Sequence, residues 1–129
     1  MDTGILHINV GWLAMLLGVA SGAVIGLFFH REEWAGGYGS YRRRMLRLGH
    51  ISFFGIGILN FLFAMTLSMV ALPAANVSIA SIGFVVAVIA MPLCCFLSAW
   101  KKSMRHLFPL PVIAVLTGIV PILTGWPPS

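Results

Sequence analysis

Four histidines, two adjacent cysteines and Asn60 are the groups in this chain best suited to chemistry away from water. His30, His50 and His106 each flank a long apolar run, beside the clusters of basic residues, while His7 stands alone near the other end of its run. A b-type haem held by two axial histidines needs them on different helices at one depth, one ring on each face of the porphyrin. His50 paired with His106 or with His30 meets that need, so these three are the candidate cofactor-binding residues and haem b the candidate cofactor. A metal ion could use the same cluster, with Cys94 as a further ligand. The plainer reading is that His30 and His106 are solvated side chains inside basic clusters. His50 differs because it lies inside an apolar run, where an ionisable group is disfavoured without a partner. No His-x-x-x-His, Cys-x-x-Cys-His or Glu-x-x-His motif is present.

These side chains must be positioned by helices. The chain has 129 residues, 60% apolar and 9% charged, against about 25% charged in a soluble domain. Four apolar runs cover residues 5–29, 48–72, 77–100 and 107–126. A helix over residues 5–29 rises roughly 37 Å, enough to cross a hydrocarbon core of about 30 Å with some tilt. The N-terminus lacks the basic n-region of a signal peptide, so the first helix is expected to stay in the mature protein. The expected fold is a single all-α membrane domain over residues 1–129. It has four transmembrane helices in an antiparallel up-down bundle, because the connections are short.

Charge sets the expected orientation. The first loop, residues 30–47, carries Arg31, Arg42, Arg43, Arg44 and Arg47 against Glu32 and Glu33, and the second carries Lys101, Lys102 and Arg105. By the positive-inside rule both loops face the cytoplasm and both termini lie on the non-cytoplasmic side. Arg42, Arg43, Arg44 and Arg47 are then expected at lipid headgroups, in a loop that Gly36, Gly37 and Gly39 make flexible. The net charge of +5 follows from these topology signals and does not indicate nucleic acid.

Small residues mark the packing faces. Ala14, Gly18, Gly22 and Gly26 recur every four residues, and such small-xxx-small ridges let helix backbones approach closely. Ala80, Gly83, Ala87, Ala90, Cys94 and Ser98 form a second stripe, and Ala114, Gly118, Pro121 and Gly125 a third. Asn60 is expected to hydrogen-bond a neighbouring helix, with a quinone or lipid contact as its sharper alternative. Cys94 and Cys95 read as small packing residues, and Met65, Met69 and Met91 as core filling. Pro92 is expected to kink the third span, and Asn76 or Ser78 to cap its start.

Several classes lose support. The acidic residues are Asp2, Glu32 and Glu33, all outside the spans, whereas ion-coupled transporters usually bind the ion on an intramembrane carboxylate. No carboxylate is placed to orient a catalytic base, which argues against a hydrolase. The reading placed first is a small accessory subunit of a larger membrane complex, respiratory or photosynthetic, in a bacterial inner membrane. It would stabilise partner subunits through its Gly-rich faces, with homo-oligomers as another form of assembly. The second reading is a haem-b or quinone-binding anchor led by His50, and the third a small channel or lipid-handling protein.

Overall fold

The computed structural model describes residues 2–127, and its regular structure is helical. Helix α1 covers Thr3–Phe29, α2 Tyr41–Met69, α3 Ala74–Trp100 and α4 Pro109–Thr124. Short 3₁₀ turns lie at Trp34–Gly36 and Lys102–Leu107. Each of the four helices is long and apolar enough to span a membrane, the fourth when counted from its preceding turn as Lys102–Thr124.

The helix ends follow local chemistry. Asp2 caps α1 by accepting from the Gly4 amide at 2.6 Å. Ser40 caps α2 by accepting from the Arg43 amide at 3.1 Å. Helix α2 therefore starts seven residues before the apolar run, and the arginines form its first two turns rather than the end of a loop. Apolarity marks the part of a helix that prefers lipid, and a capped helix can extend beyond it. Pro73 precedes α3, which leaves no capping role for Asn76. Its amide nitrogen donates instead to the Pro121 carbonyl of α4 at 2.8 Å. Pro92 is buried within α3, which continues through it, and α4 begins late, with Pro109 in its first turn where no intrahelical N–H is needed.

Packing follows the small residues. In lipid the apolar effect does not press helices together, so close backbone approach and interhelical hydrogen bonds hold them. A Cβ on Gly11 would lie 2.9 Å from the Phe61 ring, and one on Gly18 would lie 2.7 Å from the Phe54 ring. The His50 ring packs against Gly22 in the same way. Gly26, at the end of that ridge, has nothing within 4 Å of a built Cβ. The ridge on α1 is thus occupied by α2 up to Gly22 and is not free for a partner. Between α3 and α4, Gly83 meets the Gly118 backbone, and Phe84 covers Gly118.

The four helices form an open row. Helix α1 packs on α2, α2 on α3 and α3 on α4, while α1 touches α3 only lightly and forms no packing face with α4. Large apolar side chains such as Leu16, Leu27, Ile82 and Leu123 point outward. Met65 and Met69 do so as well, the latter 78% exposed, so neither is core filling. Met91 alone of the three packs on the core, against the cluster of Ile56, Ala87 and Ala114.

Candidate functional site

His7 is held by hydrogen bonds at both ring nitrogens. It is fully buried, as is Asn60 of α2. The Asn60 amide nitrogen donates to the Ile56 carbonyl at 2.8 Å, which turns its oxygen Oδ1 toward His7 Nδ1, 2.6 Å away. An amide oxygen only accepts, so Nδ1 carries the proton and Nε2 keeps the lone pair. Nε2 then accepts from the Ser81 hydroxyl of α3 at 2.8 Å. The rings of Phe63 and Phe84 stand edge-on to the imidazole at 4.7 and 6.4 Å. One side chain therefore ties α1, α2 and α3 together.

Ser81, His7 and Asn60 have the connectivity of a nucleophile, a base and the group that orients the base. The orienting role usually falls to a carboxylate, and here an amide fills it. The arrangement nevertheless lacks the rest of an acyl-transfer site. Ser81 lies inside α3, whose backbone N–H groups are spent on the helix, leaving no donor pair for an oxyanion. None of the larger grooves reaches the three residues. The trio acts as a clasp. Spacing could not reveal it, because its members stand 53 and 74 residues apart in the chain.

His50 is arranged differently. Its Nδ1 donates to the Gly18 carbonyl of α1 at 2.7 Å, and the Ser21 hydroxyl donates to the same carbonyl at 3.1 Å. The proton on Nδ1 leaves the lone pair on Nε2. This is the tautomer and anchoring that ligand histidines use, although here the Nε2 edge of the ring also lies against Gly22. The Phe54 ring stands edge-on at 5.4 Å. His30 and His106 are exposed. No group of three or more His, Cys, Asp or Glu side chains able to hold a metal occurs among the described residues. Cys94, buried beside Cys95, lies with its thiol 3.7 Å from the Leu107 carbonyl.

The four arginines divide into separate roles. Arg42 Nε donates to the Ala99 carbonyl at 2.9 Å and ties the start of α2 to the end of α3. Arg44 and Arg47 are exposed, the latter 5.9 Å from the Phe29 ring. Arg43 is buried, 1% exposed, and its guanidinium is not available to a lipid headgroup. It donates to the carbonyls of Trp34, Phe29 and Arg31, with the rings of Tyr38, Phe29 and Trp34 at 4.2, 5.0 and 5.3 Å. The first loop is folded around this one cation rather than left loose. Positive φ at Ala35, Gly36 and Gly37 curls the chain inward to offer those carbonyls, and the Ser40 hydroxyl locks the curl by donating to the Ala35 carbonyl at 2.6 Å.

Arg43→Gln is expected to open this loop. Hydrogen bonds made by a charged group are worth about 1.5–3 kcal/mol, so proteolysis within residues 31–40 should quicken by roughly tenfold or more. Arg44→Gln should leave it unchanged. Equal cleavage rates in the two variants would show that Arg43 does not hold the loop.

A long groove completes the picture. Helices α1 and α3 meet where His7 reaches Ser81 and part beyond it. The space between them, floored by Phe53 of α2, forms an apolar groove of about 390 Å³ lined by residues such as Leu13, Leu17, Val88 and Ile89. It continues past Leu17 and Phe96 into a second stretch of about 430 Å³, reaching Ser21 and Ile25. No family model matches the chain, and neither a curated protein nor a solved structure is significantly similar to it.

Proposed function

We propose that this chain is a small integral membrane subunit that works within a larger assembly. The observation that carries this reading is the open row of helices, with an unfilled apolar groove between α1 and α3. A closed four-helix bundle buries such a cleft with its own helices, whereas here the cleft is left for an apolar segment of another subunit. The contacts of Gly11 with Phe61, Gly18 with Phe54 and Gly22 with His50 support antiparallel packing of α1 and α2. The basic loops favour a cytoplasmic position for that end, with both termini outside, and a bacterial inner membrane is the setting proposed. The contact with partners runs through the groove rather than through Gly18 and Gly22.

The test is to place a photo-crosslinking residue at Leu17 or Ile89 in native membranes and to purify the protein in mild detergent. A crosslinked partner and a complex heavier than one chain are expected. A second copy as the crosslinked product would make the assembly a homo-oligomer. A single chain in its micelle, with no crosslink from either position, would overturn the reading.

The anchoring of His50 favours a second function within that assembly, an axial ligand to haem b or a contact to quinone in an electron-transfer complex. Among the described residues His50 contacts Gly18, Ser21, Gly22 and Phe54 and no second histidine, so the other ligand would come from a partner. Haem-replete preparations should then show α and Soret bands in a reduced-minus-oxidised spectrum. The bands should vanish in His50→Ala and persist in His30→Ala. Spectra without bands in the intact complex would remove this second function and leave the first standing.

A further inference from the structure

The two basic loops and the helix ends beside them border an open cavity of about 400 Å³, separate from the apolar groove, whose largely apolar lining carries two cations and several hydroxyls. Its lining includes Arg42 and Tyr41 at the start of α2, Ser98 and Trp100 at the end of α3, Lys102 of the second loop and Gly36 of the first. We propose that this cavity is a binding site for a phosphate group, supplied by the headgroup of an anionic phospholipid.

Three observations converge on it. The first is Ser98. Its residue is 1% exposed, and its hydroxyl is the one buried side-chain N or O atom among the described residues with no hydrogen-bond partner. A hydroxyl near the end of a helix can normally turn back to a carbonyl four residues earlier, whereas that of Ser98 is left without a partner just beneath the cavity wall, where a ligand's oxygen that displaces the wall would meet it. The second is charge. Arg42 of α2 and Lys102 of the second loop bring two cations to one cavity, and no carboxylate lines it to neutralise them. Arg42 spends Nε on the Ala99 carbonyl, which fixes its guanidinium in place with its two outer nitrogens unspent. Lys102 rests with Nζ 5.3 Å from the Tyr41 ring centre. A planar fork and a point charge together match the oxygens of a phosphate. The third is location. The cavity lies where the apolar spans give way to the basic loops, beside the exposed indole of Trp100, at the level where headgroups sit. A ligand there would join both loops and so fasten α2 to α3 at the end opposite the His7 clasp.

The experiment uses the full chain in nanodiscs. Retention of phosphatidylglycerol against phosphatidylcholine is read by native mass spectrometry. In a separate arm, inorganic phosphate is titrated in discs of phosphatidylcholine alone and followed by ³¹P NMR. One retained phosphatidylglycerol per chain is expected. Ser98→Ala and Lys102→Gln should each weaken retention by roughly tenfold, the effect of losing one good hydrogen bond to a charged group. Ser98→Ala removes only an unpartnered hydroxyl, so it should unfold at the same temperature as the parent or higher, and a loss of lipid cannot then be charged to misfolding. Arg44→Gln, which changes net charge by the same amount outside the cavity lining, should retain the lipid as the parent does. Phosphate binding in the second arm, lost in Ser98→Ala, would keep the phosphate site but make a soluble phosphate compound its ligand. If neither probe binds, or if retention follows net charge alone and ignores Ser98→Ala, the proposal is overturned.

Discussion

Gly83→Ala is expected to cost the structure more than any other single methyl group added to it. A Cβ at this position would run into the Gly118 amide and lie 2.7 Å from the Thr117 carbonyl carbon and 2.8 Å from the Ala114 carbonyl oxygen. All three obstacles are backbone, which cannot rotate aside as a side chain can. Overpacking costs typically about 1–3 kcal/mol, and this site belongs at the upper end, since relief requires α4 to move away from α3 as a unit. Helix α4 makes its one close backbone contact with α3 and meets α2 only through side chains such as Ile56 beside Ala114, so the loss should be visible as separation of α4. The measurement is unfolding in mixed micelles, together with a disulfide or spin-label distance between α3 and α4. Gly26→Ala and Gly55→Ala are the controls. Neither Cβ would meet anything within 4 Å, and alanine favours the helix by about 1 kcal/mol over glycine, so both should be neutral or stabilising. If Gly83→Ala behaves like them, the close crossing of α3 and α4 is wrong.

The second large effect is expected at the His7 clasp. His7→Ala strands the Asn60 oxygen and the Ser81 hydroxyl and leaves a hole between the Phe63 and Phe84 rings. A stranded buried polar group costs about 1–3 kcal/mol, while interhelical hydrogen bonds in membrane proteins average about 0.6 kcal/mol because the unfolded helices also find partners. A loss of about 2–3 kcal/mol follows for His7→Ala and less for Ser81→Ala, which leaves the histidine bonded to Asn60. A double-mutant cycle of His7→Ala with Asn60→Ala separates the hydrogen bond from the packing, and a coupling of about 1 kcal/mol is expected. His7→Phe keeps most of the volume and loses the bonds. If it matches the parent in stability, the residue contributes shape alone and the clasp has no energetic meaning.

These two sites also mark what separates the open row from a closed bundle. The clasp joins α1 to α3 through His7 and Ser81, and the groove lies beyond it between the same two helices. A weakened clasp should therefore loosen the groove as well, and crosslinking from Leu17 to a partner offers a way to see it. The cavity beneath the basic loops stands at the opposite end, so its lipid retention should be indifferent to Ser81→Ala.

Sequence alone determined the four spans and their small-residue faces, because both depend on local rules. A helix in lipid must be long and apolar whatever it packs against, and close approach needs glycine or alanine on the contact face. The stripe Ala80, Gly83, Ala87, Cys94 in α3 is buried in the structure for that reason. What each face packs against was decided only in three dimensions. The Gly18 and Gly22 ridge could have served a partner, and it serves Phe54 and His50 of the same chain instead. Arg43 could not be told from Arg42 or Arg44, since burial of its guanidinium depends on carbonyls that a curled loop turns inward. His7 looked isolated because the helices that satisfy it come from distant parts of the chain, and hydrogen-bond partners across helices leave no trace in spacing. His50, by contrast, was singled out by one physical fact that needs no fold: an imidazole inside an apolar span requires a partner. The tertiary structure supplied that partner, the Gly18 carbonyl, which a glycine ridge alone leaves bare enough for a ring to reach.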